Sequence, residues 1–144
     1  MILDALLKVS AAQQVTADAV STNTIDFGNT TPKRNVATGE PMAYVMVVTA
    51  IGTNTGSAKL LAIQSAAANL SSPQTVGQID LATADIAAGK VYIIPLGQGI
   101  PALRYAGMYH DITGTVDYTV DAYLVPHSMA SMLAAAYAKG FTIS

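Results

Sequence analysis

The feature that most constrains the fold is a two-residue alternation near the C-terminal end of the sequence. Apolar residues occupy every second position from Val116 to Leu124, and Asp117, Thr119 and Asp121 stand between them. Successive side chains of a β-strand point to opposite faces, so this pattern predicts a strand with one buried face. The other face is expected to be solvated or to contact a partner.

Other apolar runs bounded by turn residues predict further strands. Residues 42–51 are rich in valine, and the glycine-containing turn 52–56 is expected to join them to a partner strand. Pro95 indicates an edge strand or a strand end, because proline cannot donate a ladder hydrogen bond. Residues 83–89 are expected to form a short helical turn or a crossing loop. The predicted strands cover residues 6–15, 22–27, 42–51, 59–66, 91–96, 103–110 and 116–125.

The last two strands are expected to form a hairpin around Thr113-Gly114. A two-residue loop would place His110 opposite Asp117, and a three-residue loop with Gly114 in the left-handed region fits equally well. Seven or eight short strands with regular turns predict an all-β protein, a β-sandwich with Greek-key or jelly-roll connections.

The sequence changes character at about residue 127. Residues 128–140 combine a serine N-cap candidate, strong helix formers and a terminal glycine, which predicts a short C-terminal helix. We therefore expect a sandwich domain over 1–126 and a helical extension over 127–144. The helix either packs on its own sandwich or docks on a neighbouring subunit. The candidate oligomer or capsid contacts are apolar side chains near the two termini: Ile2, Leu3, Leu6, Met129, Met132, Leu133 and Tyr137.

Charge is scarce in this chain. Charged residues make up 11% of the sequence, against about 25% in ordinary soluble proteins, and the net charge is −2. Either uncharged polar residues solvate the surface, or other subunits cover much of it. Nucleic acid is not an expected partner, because phosphate binding needs clustered basic residues and only Lys33-Arg34 are adjacent. No apolar run is long enough to predict a membrane span, and no secretory signal is recognisable, so synthesis in a cytoplasm is expected.

Residues suited to catalysis are few. The chain has no cysteine, and its one cluster that could bind a metal is His110, Asp111, Asp117, Asp121 and His127. Adjacent residues of a strand point to opposite faces, so these side chains are not expected to converge, and a cross-strand polar pair is the favoured interpretation. We expect no enzyme activity and no metal or other cofactor. Seven tyrosines leave a glycan-binding module as the alternative binding function.

Several short blocks, in order and spacing, resemble the capsid cement proteins of the Bordetella-phage type. The resemblance spans about residues 1 to 126, and the blocks are 1–5, 17–26, 39–41, 71–75, 84–89, 91–96, 103–105, 114–116 and 122–125. The last of them are similar to the closing hairpin of that family, whereas the helical tail departs from its pattern.

The resemblance implies a jelly-roll-like sandwich on the outside of a tailed-phage head. Such a protein would be a homo-oligomer, a dimer in the first place and a trimer as the alternative. Its partner would be the major capsid protein, which it would bridge to reinforce the shell. Another structural role in the head or tail is the neighbouring hypothesis.

Overall fold

The computed structural model describes residues 8–27, 42–96, 103–126 and 128–130. Within them the chain is mostly β-strand, together with one 3-10 turn at Thr83–Asp85 and a helical segment at 128–130. The strands are β1 (Lys8–Val15), β2 (Ala19–Val20), β3 (Ile25–Asp26), β4 (Met42–Ile51), β5 (Ser57–Ser65), β6 (Gln74–Leu81), β7 (Val91–Pro95), β8 (Tyr105–Thr113) and β9 (Tyr118–Pro126).

The strands form two antiparallel sheets. The first sheet has the order β1-β9-β4-β7, and the second has the order β2-β8-β5-β6, with β3 also paired to β8. Because β2 and β3 pair with successive parts of β8, they act as one interrupted strand. The two sheets then have four strands each, in the order of a jelly roll. The all-β sandwich that the sequence predicts is therefore confirmed.

Strand β4 lies in the middle of the first sheet, and its sequence explains why. From Ala43 to Val48 every residue is buried, so both faces of this part of the strand are covered. A strand that is covered on both faces needs an apolar residue at every position rather than an alternation. The edge strand beside it, β7, ends at Pro95, as the proline predicted.

The alternation in β9 describes its inner face correctly. Five residues at two-residue intervals point between the sheets and are buried: Val116, Tyr118, Val120, Ala122 and Leu124. They pack against side chains of the second sheet, such as Leu60 and Met108, to form the main core. Burial of this apolar surface is the principal stabilising term for the sandwich.

Both predicted hairpins are wrong. Strands β4 and β5 lie in different sheets, and so do β8 and β9. Connections 52–56 and 114–117 each cross from one sheet to the other instead of reversing within one. They run side by side, since the Gly52 N–H donates to the Asp117 carbonyl oxygen at 2.8 Å, and those of Thr55 and Gly56 donate to the Thr115 carbonyl oxygen at 2.9 Å. The glycine residues that suggested hairpin turns serve this crossing.

Glycine is needed where the two connections meet. A Cβ on Gly56 would lie 2.2 Å from the carbonyl oxygen of Thr113, and Gly114 has a φ of +81°. The left-handed conformation of Gly114 matches one of the two loops that the sequence allowed, although it serves a crossover and not a hairpin. The backbones can approach this closely only because neither glycine carries a side chain.

Beyond the strands, the described helical structure is short. The turn at Thr83–Asp85 agrees with the prediction for residues 83–89. Residues 128–130 are helical, as expected for the start of the C-terminal helix. No described helix is long and apolar enough to cross a membrane. The division at residue 126 stays a prediction.

Candidate interaction surface

The residues that could have carried chemistry do not converge. His110 points into the core, where its Nδ1 lies 2.8 Å from the hydroxyl of Tyr118, and Asp111 points to the outer face of the second sheet. Asp117 accepts a hydrogen bond from Nε2 of Gln14 at 2.9 Å. The predicted pairing of His110 with Asp117 is wrong because β8 and β9 belong to different sheets. His127 lies outside the described residues.

Burial keeps His110 neutral. The imidazole is fully buried, and its desolvation lowers the pKa of His110 to about 4. Burial likewise raises the pKa of the Tyr118 hydroxyl. Nε2 of His110 has no hydrogen-bond partner. A neutral imidazole and a neutral phenol joined by one hydrogen bond form a structural pair, which links the two sheets. Among the described residues no group of three potential metal ligands is present.

The tyrosines lie mostly within strands, as predicted. Tyr44 and Tyr118 are buried in the main core, and Tyr123 is buried on the other face of the first sheet. Tyr105 and Tyr109 are half-buried on the outer face of the second sheet. This distribution is typical of tyrosines that pack in a core or an interface.

The outer face of the first sheet is largely closed. Ala43, Val45 and Val47 of β4 pack with Tyr123 and Val125 of β9 in a second apolar cluster, each 6% exposed or less. Ala130, in the helical residues that follow β9, is fully buried in the same cluster. The start of the C-terminal helix therefore packs on its own sandwich.

One of the predicted interface residues can be located. Met129 is 36% exposed, beside the buried Ala130. The other six lie outside the described residues: Ile2, Leu3, Leu6, Met132, Leu133 and Tyr137. The interface assigned to these apolar side chains stays a prediction.

The outer face of the second sheet has a closed end and an open end. At the closed end Ile63 and Gly107 are buried, and the side chain of Leu70, from the connection between β5 and β6, lies over Gly107. Leu70 holds a φ of +58°, a conformation that costs about 1 kcal/mol or more for a residue with a side chain. The burial of its apolar side chain, which covers this end of the sheet, offsets that cost.

The open end, here called the open face, carries two neighbouring rows of residues. One row is mainly apolar, because Val20 pairs with Tyr109, which pairs with Leu61. The next row is charged, because Asp111 pairs with Lys59, which pairs with Asp80. Asp18 stands beside both rows, and its Oδ1 accepts the Ile112 N–H at 2.7 Å. The open face consists of Asp18, Val20, Lys59, Leu61, Asp80, Tyr109 and Asp111.

A depression of about 370 Å³ lies at the charged end of the open face. Lys59, Asp80 and Asp111 line it, together with smaller residues such as Ser57 and Thr113. The sequence analysis missed this surface because its residues come from four separate strands and one loop. Once the pairing of β5 with β8 is known, Lys59 and Asp111 are seen to face outward side by side, but the sequence does not show that pairing.

Comparison with known proteins gives a family. The family model described as Bbp16 matches residues 9–122, which is most of the chain and nearly all of the sandwich. The comparison with curated proteins found no match. Bbp16 is a family of Bordetella phage proteins, which agrees with the phage family that the sequence blocks resemble. The match and the jelly-roll sandwich together show that this chain belongs to the Bbp16 family.

Proposed function

We propose that this protein is a structural component of the phage virion, which binds the outside of the capsid and stabilises the shell by bridging major capsid proteins. The observation that carries the proposal is the Bbp16 match over residues 9–122, which include nearly all of the jelly-roll sandwich. The protein would act without catalysis and without a cofactor.

The arrangement of the polar residues supports a structural role. Three of the side chains that could have served chemistry are engaged in holding the fold: His110 bonds Tyr118, Asp117 bonds Gln14, and Asp121 accepts the Ala12 N–H at 2.7 Å. The scarcity of charge also suits a protein whose surface is partly covered in an assembly, since charged residues are depleted in interface cores.

Modest contacts are sufficient for such a function. A protein that bridges two capsid subunits binds the second one intramolecularly, at a high effective concentration. A homo-oligomer, expected to be a dimer, would add further contacts in the same way. Reinforcement of the shell then needs no single contact of high affinity.

Co-sedimentation with emptied, expanded phage heads from which this protein has been removed tests the proposal. We expect saturable rebinding at a fixed number of copies per head, and greater resistance of the heads to heat. Unassembled capsid subunits serve as the control and should not bind. If the protein stays in the supernatant at micromolar concentration while the heads remain intact, the proposal is wrong, and a glycan-binding screen becomes the next experiment.

A further inference from the structure

We propose that this protein binds the capsid through the open face. The complementary surface on the capsid would be an apolar patch with basic side chains at its rim. This inference rests on the proposed capsid-binding function and specifies which side of the sandwich performs it.

The two outer faces of the sandwich differ in what covers them. The first sheet already buries its outer apolar residues, among them Val45 and Val125, in a cluster that includes Ala130. On the second sheet Val20 is 39% exposed and Tyr109 and Leu61 are half-buried, and no comparable apolar cluster of described residues covers this row. An apolar row in the middle of a sheet face, with polar residues around it, is the usual composition of a protein contact.

The charged row indicates the chemistry of the partner. Asp18, Asp80 and Asp111 stand against a single cation, Lys59, on this face. Among the described residues, no ion pair within 4.0 Å joins Lys59 to an aspartate, since the pairs found are those of Lys8 with Asp121 and of Arg104 with Asp26. The face therefore presents an excess of negative charge, and a surface with basic side chains at its rim complements it.

The same charge argues against a second copy of this chain as the occupant. Two open faces brought together would place the carboxylates of one copy opposite those of the other, and like charges at an interface are unfavourable. A capsid surface with arginine or lysine around an apolar patch has no such penalty. The depression of about 370 Å³, which Lys59, Asp80 and Asp111 line, offers room for one side chain of the partner beside these residues.

A matched pair of variants tests the inference. Val20→Glu places a carboxylate on the open face, and Ile51→Glu places one on a residue of similar exposure, 45%, in the first sheet. We expect Ile51→Glu to rebind stripped heads as the wild type does, and Val20→Glu to bind at least tenfold more weakly. The double charge reversal Asp80→Lys with Asp111→Lys should weaken binding by a similar factor. Circular dichroism and thermal unfolding of each variant would establish that it is folded.

The outcomes separate this inference from the proposed function. If the wild type and Val20→Glu bind heads equally well, the open face is not the capsid-binding surface. The same conclusion follows if Ile51→Glu loses binding to the same degree as Val20→Glu. In both cases the proposed cement function stands. If Val20→Glu instead converts an oligomer to a monomer in sedimentation velocity, the face is a contact between copies, and the inference is wrong. If the wild type itself does not bind, both proposals fail.

Discussion

The Nδ1 of His110 and the hydroxyl of Tyr118 lie 2.8 Å apart inside the sandwich, one on each sheet. Their rings are tilted by 55°, with centroids 5.7 Å apart. Eight positions separate the two residues in the sequence, yet the hydrogen bond between them joins opposite layers of the fold. Its effect on stability and its dependence on pH can both be measured.

Removing the tyrosine hydroxyl should destabilise the protein. Tyr118→Phe leaves the buried imidazole without a hydrogen bond, because Nε2 already has no partner. An unsatisfied buried polar group costs about 1–3 kcal/mol, so we expect the free energy of unfolding to fall by about 2 kcal/mol. Urea denaturation measures this change. Tyr105→Phe, on a half-buried residue of the outer face, is the matched control and should change stability by less than about 0.5 kcal/mol. Equal effects of the two substitutions would contradict the structural role of the pair.

Stability should decrease as the pH falls from about 6.5 to about 4. Burial lowers the pKa of His110 to about 4 in the folded protein, whereas the unfolded chain has the ordinary value of about 6.5. Between these values the unfolded state holds more protons, so acidification favours it, and above pH 6.5 the full stability is retained. The loss attributable to His110 is about 3 kcal/mol.

The measurement is the free energy of unfolding against pH for the wild type and for His110→Gln. Carboxylates that titrate in the same range contribute to both curves, so the difference between the curves isolates the histidine. That difference should become smaller towards pH 4. Parallel curves would show that His110 is protonated as readily in the folded state as in the unfolded state.

Alanine at the crossing of the two connections should be poorly tolerated. In Gly56→Ala the new Cβ would meet the carbonyl oxygen of Thr113 at 2.2 Å, and this backbone atom cannot move alone. We expect a loss of about 2 kcal/mol, in the range of overpacked cores. Gly89→Ala is the comparison, because a Cβ there meets nothing within 4 Å, and the cost is only that of a φ of +82°, about 1 kcal/mol. Thermal unfolding measures the loss of stability in each variant. A larger loss for Gly89→Ala than for Gly56→Ala would contradict the close contact between the two connections.

Asp121 should stabilise β1 through a backbone contact rather than through its ion pair. Its Oδ1 accepts the N–H of Ala12, which has a φ of +46° where the register of β1 against β9 shifts. The Nζ of Lys8 lies 3.5 Å from the same carboxylate, in a partly exposed pair that is expected to contribute little to stability. We therefore expect Asp121→Ala to cost about 1–2 kcal/mol in denaturant titrations, and Asp121→Asn to recover most of it, because the amide oxygen can still accept the hydrogen bond. Asparagine that is as harmful as alanine would instead assign the effect to charge.

The sequence by itself determined most of the strands and the buried faces of β4 and β9, but it missed β6 (Gln74–Leu81), which has few buried side chains. The unbroken apolar run of β4 and the alternation in β9 indicate which faces are buried, because hydrophobicity is a property of each side chain separately. The same holds for Pro95 at the end of an edge strand. Membership in a family of Bordetella phage proteins was also recognisable from short blocks of sequence, as the match over residues 9–122 confirms.

Only the tertiary structure decided which strands are neighbours. Ladder hydrogen bonds join backbone groups that every residue carries, so an apolar face shows that a strand is buried but not which strand lies beside it. Gly56 and Gly114 were compatible with hairpins, yet they permit two crossovers to touch. Because the two connections are crossovers, His110 contacts Tyr118 and not Asp117. The strand pairing of the second sheet likewise places Lys59 between Asp80 and Asp111 on the open face.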